Sequence, residues 1–175
     1  MGSRLFPCTL RSGVVVIMGL DQYVYVYRDV PTVKQFVERL ADENGKLDLY
    51  RENENLADIS GVLMNEWIGR KVWPLHDWVG NYAYDGQSHN GECFAIDSDV
   101  LLEAVEKVLE PTYSDPVGSY DDTFFFALKN NGFDVDSYEP SELRHMVEPL
   151  RELKRVLVEA KDNGAFPKVV YSSWW

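Results

Sequence analysis

The chain has 175 residues, of which 45% are hydrophobic and 13% aromatic, and it carries a net charge of −12. This length suits one folded domain with its own hydrophobic core, and the composition excludes an intrinsically disordered chain. The negative charge repels phosphate groups and anionic lipid headgroups, so it argues against direct binding to nucleic acid or to membrane surfaces.

Cysteine usage and the apolar runs bear on the compartment. Cys8 and Cys93 lie far apart and form no CxxC pair, which is typical of a reducing compartment and not of a disulfide framework or a cysteine zinc site. The longest apolar run, residues 13–20, is much shorter than the roughly 20 residues of a membrane-spanning helix. Residues 1–17 show no small-residue cleavage site after their apolar patch, so they do not predict a signal peptide. We therefore expect a cytoplasmic protein.

The first predicted elements are a strand and a helix. Residues 14–27 predict the strand, because tyrosines at every second position from Tyr23 onward alternate with valines and so share one face. The helix has Thr32 as its predicted N-cap and Gln35 to complete a capping box, and it ends at residues 44–45. A short strand over 46–51 and a solvated loop over 52–55 are expected next.

A second helix is predicted to start near Pro74, since proline is tolerated only in the first turn of a helix. This start directs Leu75, Trp78 and Val79 to the core and leaves His76 and Asp77 on other faces. Residues 70–71 precede the helix on an irregular or helical run.

The following segment predicts a strand over 93–96 and a helix capped by Asp97 or Ser98, with an apolar stripe that runs to Leu109. Pro111 stops this helix. A strand that is apolar on both faces is expected over residues 123–128.

The last predicted helix is capped by Ser141, is kinked or divided at Pro149, and stops at residues 163–164. The run from Val169 to Tyr171 is strand-like. Two terminal tryptophans are too apolar to trail in water, so the tail is expected to join the sheet.

This order of elements lacks the strict alternation of a doubly wound parallel sheet. It predicts a single α+β domain with a mainly antiparallel sheet, three or four helices packed on that sheet, and the Tyr23 strand near its middle.

The richest chemistry lies in residues 65–80, which hold three of the five tryptophans. The candidate ligand-binding residues are Arg70, Lys71, Trp73, His76 and Trp78. The two basic side chains suit a phosphate or carboxylate, the tryptophans suit stacking on a base, and His76 is the candidate acid or base of an enzyme. The alternative is structural: the tryptophans belong to the core, the basic residues pair with carboxylates, and His76 is hydrogen-bonded in place.

Other chemical motifs are weak or absent from the sequence. It contains no GxxxxGK followed by Ser or Thr, no GxGxxG, no HExxH and no GxSxG, and it predicts no cofactor. Ser88 beside His89 is a poor nucleophile and base pair because sequence neighbours seldom align. The weak metal candidates are Asp134, Asp136 and Glu139, whose spacing does not meet the EF-hand pattern.

Five segments carry a resemblance. They are MGLDQY at 18–23, GRKVWPLHDW at 69–78, NGECFAI at 90–96, the phenylalanines at 124–126 and YSSWW at 171–175. In this order they resemble a family of small phage and prophage proteins that open with MGLDMY, carry a central WRKxNxIHxW motif and end with SSW. The resemblance implies a phage context in a host cytoplasm and no particular activity.

Position by position, the resemblance places Arg70, Lys71, His76 and Trp78 in the family's central motif. Ser172, Ser173 and Trp174 match its ending. Two residues depart from it, since Gly69 stands where the family has tryptophan and Trp73 where it has asparagine. The family's first methionine aligns with Met18, so residues 1–17 are predicted to be an N-terminal extension and residues 18–175 the domain.

Three functional hypotheses follow. The first is a phage accessory protein that binds and inhibits a host protein stoichiometrically, such as a component of an antiviral defence system in the manner of an anti-CRISPR protein. Its acidic surface predicts a host partner with a basic surface. The second is a module that binds a nucleotide-like anion at Arg70, Lys71 and His76. The third is a small enzyme of unrecognised type that uses His76.

Overall fold

The structure is a computed structural model that describes residues 20–49, 54–84, 90–110, 129–130 and 144–174. The elements in these ranges are, in chain order, β1 (Asp21–Tyr27), α1 (Pro31–Leu40), a 3₁₀ helix (Leu56–Val62), β2 (Leu63–Arg70), α2 (Trp73–Tyr84), β3 (Cys93–Asp97), α3 (Ser98–Leu109), α4 (Val147–Asp162) and β4 (Lys168–Trp174). The strands form one antiparallel sheet in the order β2-β1-β4-β3. The predicted α+β fold is confirmed.

The alternation in β1 divides the core between the two faces of the sheet. Val24 and Val26 lie in one hydrophobic cluster with residues of α2, α3 and α4, and we call this side the helical face. Tyr25 and Tyr27 lie in a second cluster with residues of α1 and the 3₁₀ helix, and we call this side the tyrosine face. The predicted sharing of one face by the tyrosines is confirmed, and β1 is an inner strand of the sheet.

The tail prediction is also confirmed. β4 lies between β1 and β3, and Tyr171 is completely buried. Asn163 caps the end of α4 and Gly164 follows at φ 72°, a left-handed conformation that glycine adopts without strain. The last strand is therefore an inner strand that begins shortly after a helix end.

The predicted start of α1 is wrong by two positions, since the predicted N-cap was Thr32 and the observed one is Val30. The helix begins at Pro31, its N-cap is Val30, and no side chain caps it. Proline at the first helical position has the required φ and lacks an N–H that needs a partner, so Thr32 falls inside the first turn. The helix also ends at Leu40, before the predicted stop, because the chain turns at residues 42–45.

The predicted strand over 46–51 is wrong for residues 46–49, which form only isolated bridges, Ala41 to Leu47 and Lys46 to Phe94. Leu47 and Leu49 are still buried, in the cluster on the tyrosine face. This segment covers the outer edge of β3, where the N–H of Leu47 donates to the carbonyl of Cys93 at 2.8 Å.

Two predictions for the central segment are wrong. Arg70 is the last residue of β2 instead of part of an irregular or helical run, because it pairs with Asp21 of β1, whereas Lys71 is irregular as predicted. His76 is 6% exposed instead of lying on an outer face of α2, because its ring faces Tyr171 in the middle of β4. Pro74 does lie in the first turn of α2, as predicted.

Several other predictions are confirmed. β3 is followed directly by α3, and the Asp97 carboxylate caps this helix by accepting from the N–H groups of Asp99 and Val100. The last helix is divided close to Pro149, as predicted. Met146 lies in a turn, α4 begins at Val147, and Pro149 lies in its first turn.

The predictions for residues 1–17, 14–19, 123–128 and 134–139, and those for Ser88, His89, Pro111 and Ser141, lie outside the described residues. Within the described ranges, no group of acidic, histidine or cysteine side chains has an arrangement that holds a metal ion. In the same ranges no helix has both the length and the apolar character needed to cross a membrane.

Candidate functional site

Four of the segments that carry the family resemblance meet at one end of the sheet. Asp21 at the start of β1 pairs with Arg70 on one side and with Trp174 on the other. The N–H of Lys71 donates to the carbonyl of Leu20 at 2.8 Å, and the N–H of Gly91 donates to the carbonyl of Ser173 at 2.8 Å. Segments far apart in sequence therefore build one local structure, which we call the motif end.

A buried hydrogen-bond network lies on the helical face of the motif end. The side chain of Gln22 is fully buried and bridges two partners. Its Oε1 accepts from the N–H of Val72 at 3.0 Å, and its Nε2 donates to the hydroxyl of Tyr171 at 3.0 Å. The same hydroxyl lies 3.2 Å from Nδ1 of His76. Polar side chains thus join two strands and a helix that are distant in sequence, namely β1, β4 and α2.

The Tyr171 hydroxyl stays protonated at neutral pH. Burial raises the pKa of Tyr171, the hydrogen bond from Gln22 lowers it by less, and the nearby charge of Asp77 raises it further. A neutral hydroxyl both donates and accepts, so it serves Gln22 and His76 together.

The two basic candidates, Arg70 and Lys71, are both exposed. Arg70 projects from the tyrosine face, where its Nε is 3.6 Å from a carboxylate oxygen of Asp21 and its side chain is 73% exposed. Lys71 is exposed and has φ 57°, a left-handed conformation that a residue other than glycine rarely adopts. The sheet separates Arg70 from His76.

The two candidate tryptophans are partly buried in α2. Trp73 meets the His76 ring edge to face, with ring centroids 5.9 Å apart. Trp78 stacks on Tyr82 at 5.3 Å and packs against the core of the helical face. The structure therefore brings Trp73 to His76, whereas Arg70 lies on the opposite face of the sheet. The ligand-binding role of these five residues stays a prediction.

Gln22 and Tyr171 were not among the predicted site residues. A signal for Gln22 was present, because it occupies a position in β1 that continues the valine side of the strand, where a polar side chain needs a buried partner. Tyr171 gave no such signal, since a tyrosine in an apolar strand is ordinary core.

The departure at Gly69 has a structural basis. A Cβ at this position would lie 2.1 Å from the ring of Trp67, which is two residues earlier on the same face of β2. Trp67 is buried, and its Nε1 donates to the carbonyl of Pro149 at 2.9 Å. The ring of Trp67 therefore fills the space above position 69, and only glycine fits beneath it.

The chain was compared with models of protein families, with curated proteins and with solved structures, and none of the three comparisons gives a match.

Proposed function

We propose that this protein is a phage-encoded accessory protein that binds a host protein stoichiometrically and inhibits it. Its acidic surface meets a basic surface of the host protein. The observation that carries the proposal is the balance of charge. Nine of the described lysines and arginines each form an ion pair with a carboxylate, while the chain as a whole has 29 acidic against 17 basic residues.

The pairing leaves a surplus of carboxylates on the surface. On α4, Arg155 pairs with both Glu152 and Glu159, and Lys161 reaches Asp99 of α3 at 2.7 Å. The acidic residues Asp42 and Glu43 are exposed in the turn after α1. Exposed charges of one sign speed the association with a partner of opposite charge and repel partners of like charge.

Two further observations support a binding protein over the alternatives. The sequence lacks the common catalytic motifs, and the candidate residues Arg70 and His76 lie on opposite faces of the sheet. The resemblance of the five segments to phage and prophage proteins supports the phage context and a target in the host's defence against phage.

Affinity capture tests the proposal. Tagged protein is incubated with a bacterial host lysate, and mass spectrometry measures which proteins elute and in what molar ratio. We expect one host protein at close to equal amounts, and an affinity of the purified pair that falls as salt rises. Failure to retain any protein, or an affinity that does not respond to salt, contradicts the proposal.

Charge-reversal variants test which acidic part of the surface contacts the host protein. One variant carries Asp42→Lys and Glu43→Lys in the turn after α1, and a matched variant with the same net charge carries Glu110→Lys and Asp162→Lys at the ends of α3 and α4. We expect one of the two pairs to weaken the capture far more than the other. Arg70→Ala is expected to have no effect on it. Equal effects of the two pairs would show that only total charge matters.

The hydrogen-bond network favours a second candidate, the module for a nucleotide-like anion or a small enzyme that uses His76. Trp73, beside His76, offers an aromatic ring on which a planar ligand can stack. Lys71 has a left-handed backbone conformation, and strained backbone of this kind is often found at functional sites. Binding of ATP and of other nucleotides by calorimetry tests it. Loss of binding in Lys71→Ala and His76→Ala, with the fold intact, would favour this candidate.

A further inference from the structure

Within the described part of the chain, the outer edge of β2 has no strand beside it. Among the described residues β2 pairs with β1 on one side only, and α4 contacts this strand from the helical face. On the tyrosine face, Ile68 is 62% exposed although it occupies the middle of a strand. An open strand edge with an exposed apolar side chain is a site where a further strand adds to a sheet.

The hydrogen bonds to β1 identify the groups at this edge. The pairing of Asp21 with Arg70 extends to Leu20 and Lys71, where the N–H of Lys71 donates to the carbonyl of Leu20. Residues of an antiparallel pair alternate between those that bond to the partner and those that turn away. Odd-numbered residues from 65 to 71 therefore bond to β1, and Glu66, Ile68 and Arg70 turn their N–H and C=O groups outward.

The same three residues share the tyrosine face. Their partners across the β1–β2 pair are Tyr25, Tyr23 and Asp21. Burial raises the pKa of Tyr23, and the charges of Asp21 and Glu66 on the same face raise it further. The open edge thus presents an acid, an apolar residue and a base at successive outward positions.

This order is complementary to itself. When two copies of β2 run antiparallel and pair about Ile68, Ile68 lies opposite Ile68 of the second copy. Glu66 of each copy then lies opposite Arg70 of the other, which makes two opposite-charge pairs. All three outward residues then exchange main-chain hydrogen bonds, and both opposite-charge pairs lie directly across the strand pair. A two-fold contact of this kind uses the same patch on both subunits, so it closes after two copies.

We propose that the protein forms a two-fold dimer through its β2 strands, which joins the two sheets into one of eight strands. The inference goes beyond the proposed binding of a host protein. Formation of the dimer replaces one local bond, since the N–H of Glu66 now donates to the side chain of Asn65 at 2.9 Å. Arg70 retains Asp21 as a neighbour while it meets Glu66 of the second copy.

Sedimentation velocity over a range of concentrations tests the proposal. The full chain has a mass of 20.1 kDa, and we expect a species of twice this mass that grows with concentration. The variants Glu66→Arg and Arg70→Glu each replace two attractive pairs by two repulsive ones, and we expect each to raise the dissociation constant at least about tenfold.

Mixing gives the sharper result. A subunit with Glu66→Arg has two arginines at the edge and one with Arg70→Glu has two glutamates, so the mixture should form a heterodimer although neither variant self-associates. The double variant with both changes should self-associate like the original protein. Recovery in these two samples also shows that the single variants still fold.

A matched control uses the exposed pair on α3. The variants Glu103→Arg and Lys107→Glu change the net charge by the same amounts at positions four residues apart, and we expect them to dimerise normally. A protein that stays monomeric at every concentration overturns the proposal, as does a mixture of the two edge variants that forms no heterodimer.

Discussion

At the scale of single residues, Gln22 has the most demanding position. It is fully buried and satisfies both the N–H of Val72 and the hydroxyl of Tyr171. Gln22→Leu keeps the approximate volume and leaves both groups without this partner, so we expect the free energy of unfolding to fall by about 2–4 kcal/mol. Urea denaturation measures the change.

Gln35 on α1 serves as the matched control, since it is an exposed glutamine. Gln35→Leu should change the stability by less than about 0.5 kcal/mol. If the two substitutions had similar effects, the network at the motif end would contribute little to the fold.

Gly69 tests the contact with Trp67. A methyl group at this position would meet the tryptophan ring at 2.1 Å, whereas nothing lies within 4 Å of a Cβ at Gly61. We expect Gly69→Ala to destabilise the protein by about 1–3 kcal/mol, because the ring and the strand must shift. Thermal denaturation of Gly69→Ala and Gly61→Ala measures the difference, and equal stability of the two variants would contradict the contact.

The raised pKa of Tyr171 predicts that the protein loses stability at alkaline pH. Burial raises the pKa of its hydroxyl above the unfolded value of about 10, so the folded state holds this proton after the unfolded state has released it. The stabilisation is complete below pH 10 and declines above it, by at most about 1.4 kcal/mol per pH unit for this one group. Urea denaturation between about pH 8 and 12 measures the decline.

Tyr171→Phe lacks the hydroxyl, so the decline should be shallower even though the variant is less stable at neutral pH. Tyr82→Phe is the control, because Tyr82 is exposed. An unchanged slope in Tyr171→Phe would show that other groups cause the alkaline loss.

At the scale of elements, the helix starts show how far local sequence reaches. Asp97 or Ser98 was predicted to cap α3, and Asp97 does so, because the strand before it leaves the carboxylate beside the first free N–H groups. Thr32 was predicted to cap α1 and does not, because the helix already begins at Pro31 and Thr32 lies in its first turn. A residue of a type that often caps helices therefore did so at α3 and not at α1, according to the residue that precedes it.

A pair of substitutions checks this contrast. Asp97→Ala should lower the free energy of unfolding by about 1 kcal/mol, because two N–H groups lose their acceptor. Thr32→Ala should be neutral or slightly stabilising, since alanine is the better helix former at an exposed position. Chemical denaturation compares the stability of both variants with that of the original chain. A larger loss of stability in Thr32→Ala than in Asp97→Ala would show that Thr32 caps α1 as predicted.

The missed strand β2 has a different cause. Its sequence begins with Leu-Met-Asn-Glu, residues with weak strand preference, and Trp67 and Ile68 follow without a clear alternation. What makes it a strand is pairing with β1, which no local pattern records. The structure also places His76 inward for a tertiary reason, since the Tyr171 hydroxyl offers it a partner.

At the scale of the whole molecule, the last strand holds the sheet together. β4 separates β1 from β3 and pairs with both. A chain that ends at Pro167 lacks this inner strand, so β3 loses its described strand partner and both cores are opened. We expect loss of the cooperative unfolding transition, as measured by circular dichroism during heating.

A chain that begins at Met18 is the companion experiment. Residues 1–17 are predicted to be an extension, and their removal should leave the midpoint of thermal unfolding unchanged. A large drop would show that they belong to the fold.

The sequence by itself determined the fold class, the tyrosine and valine sides of β1, the start of α3 at Asp97 or Ser98 and the place of the tail in the sheet. Each of these depends on a periodicity or a residue type that acts over a few neighbours. Only the tertiary structure decided that β2 is a strand, that Arg70 and His76 lie on opposite faces, and that Gln22 joins Val72 to Tyr171. These features depend on pairing between distant segments, where register and burial select the partner.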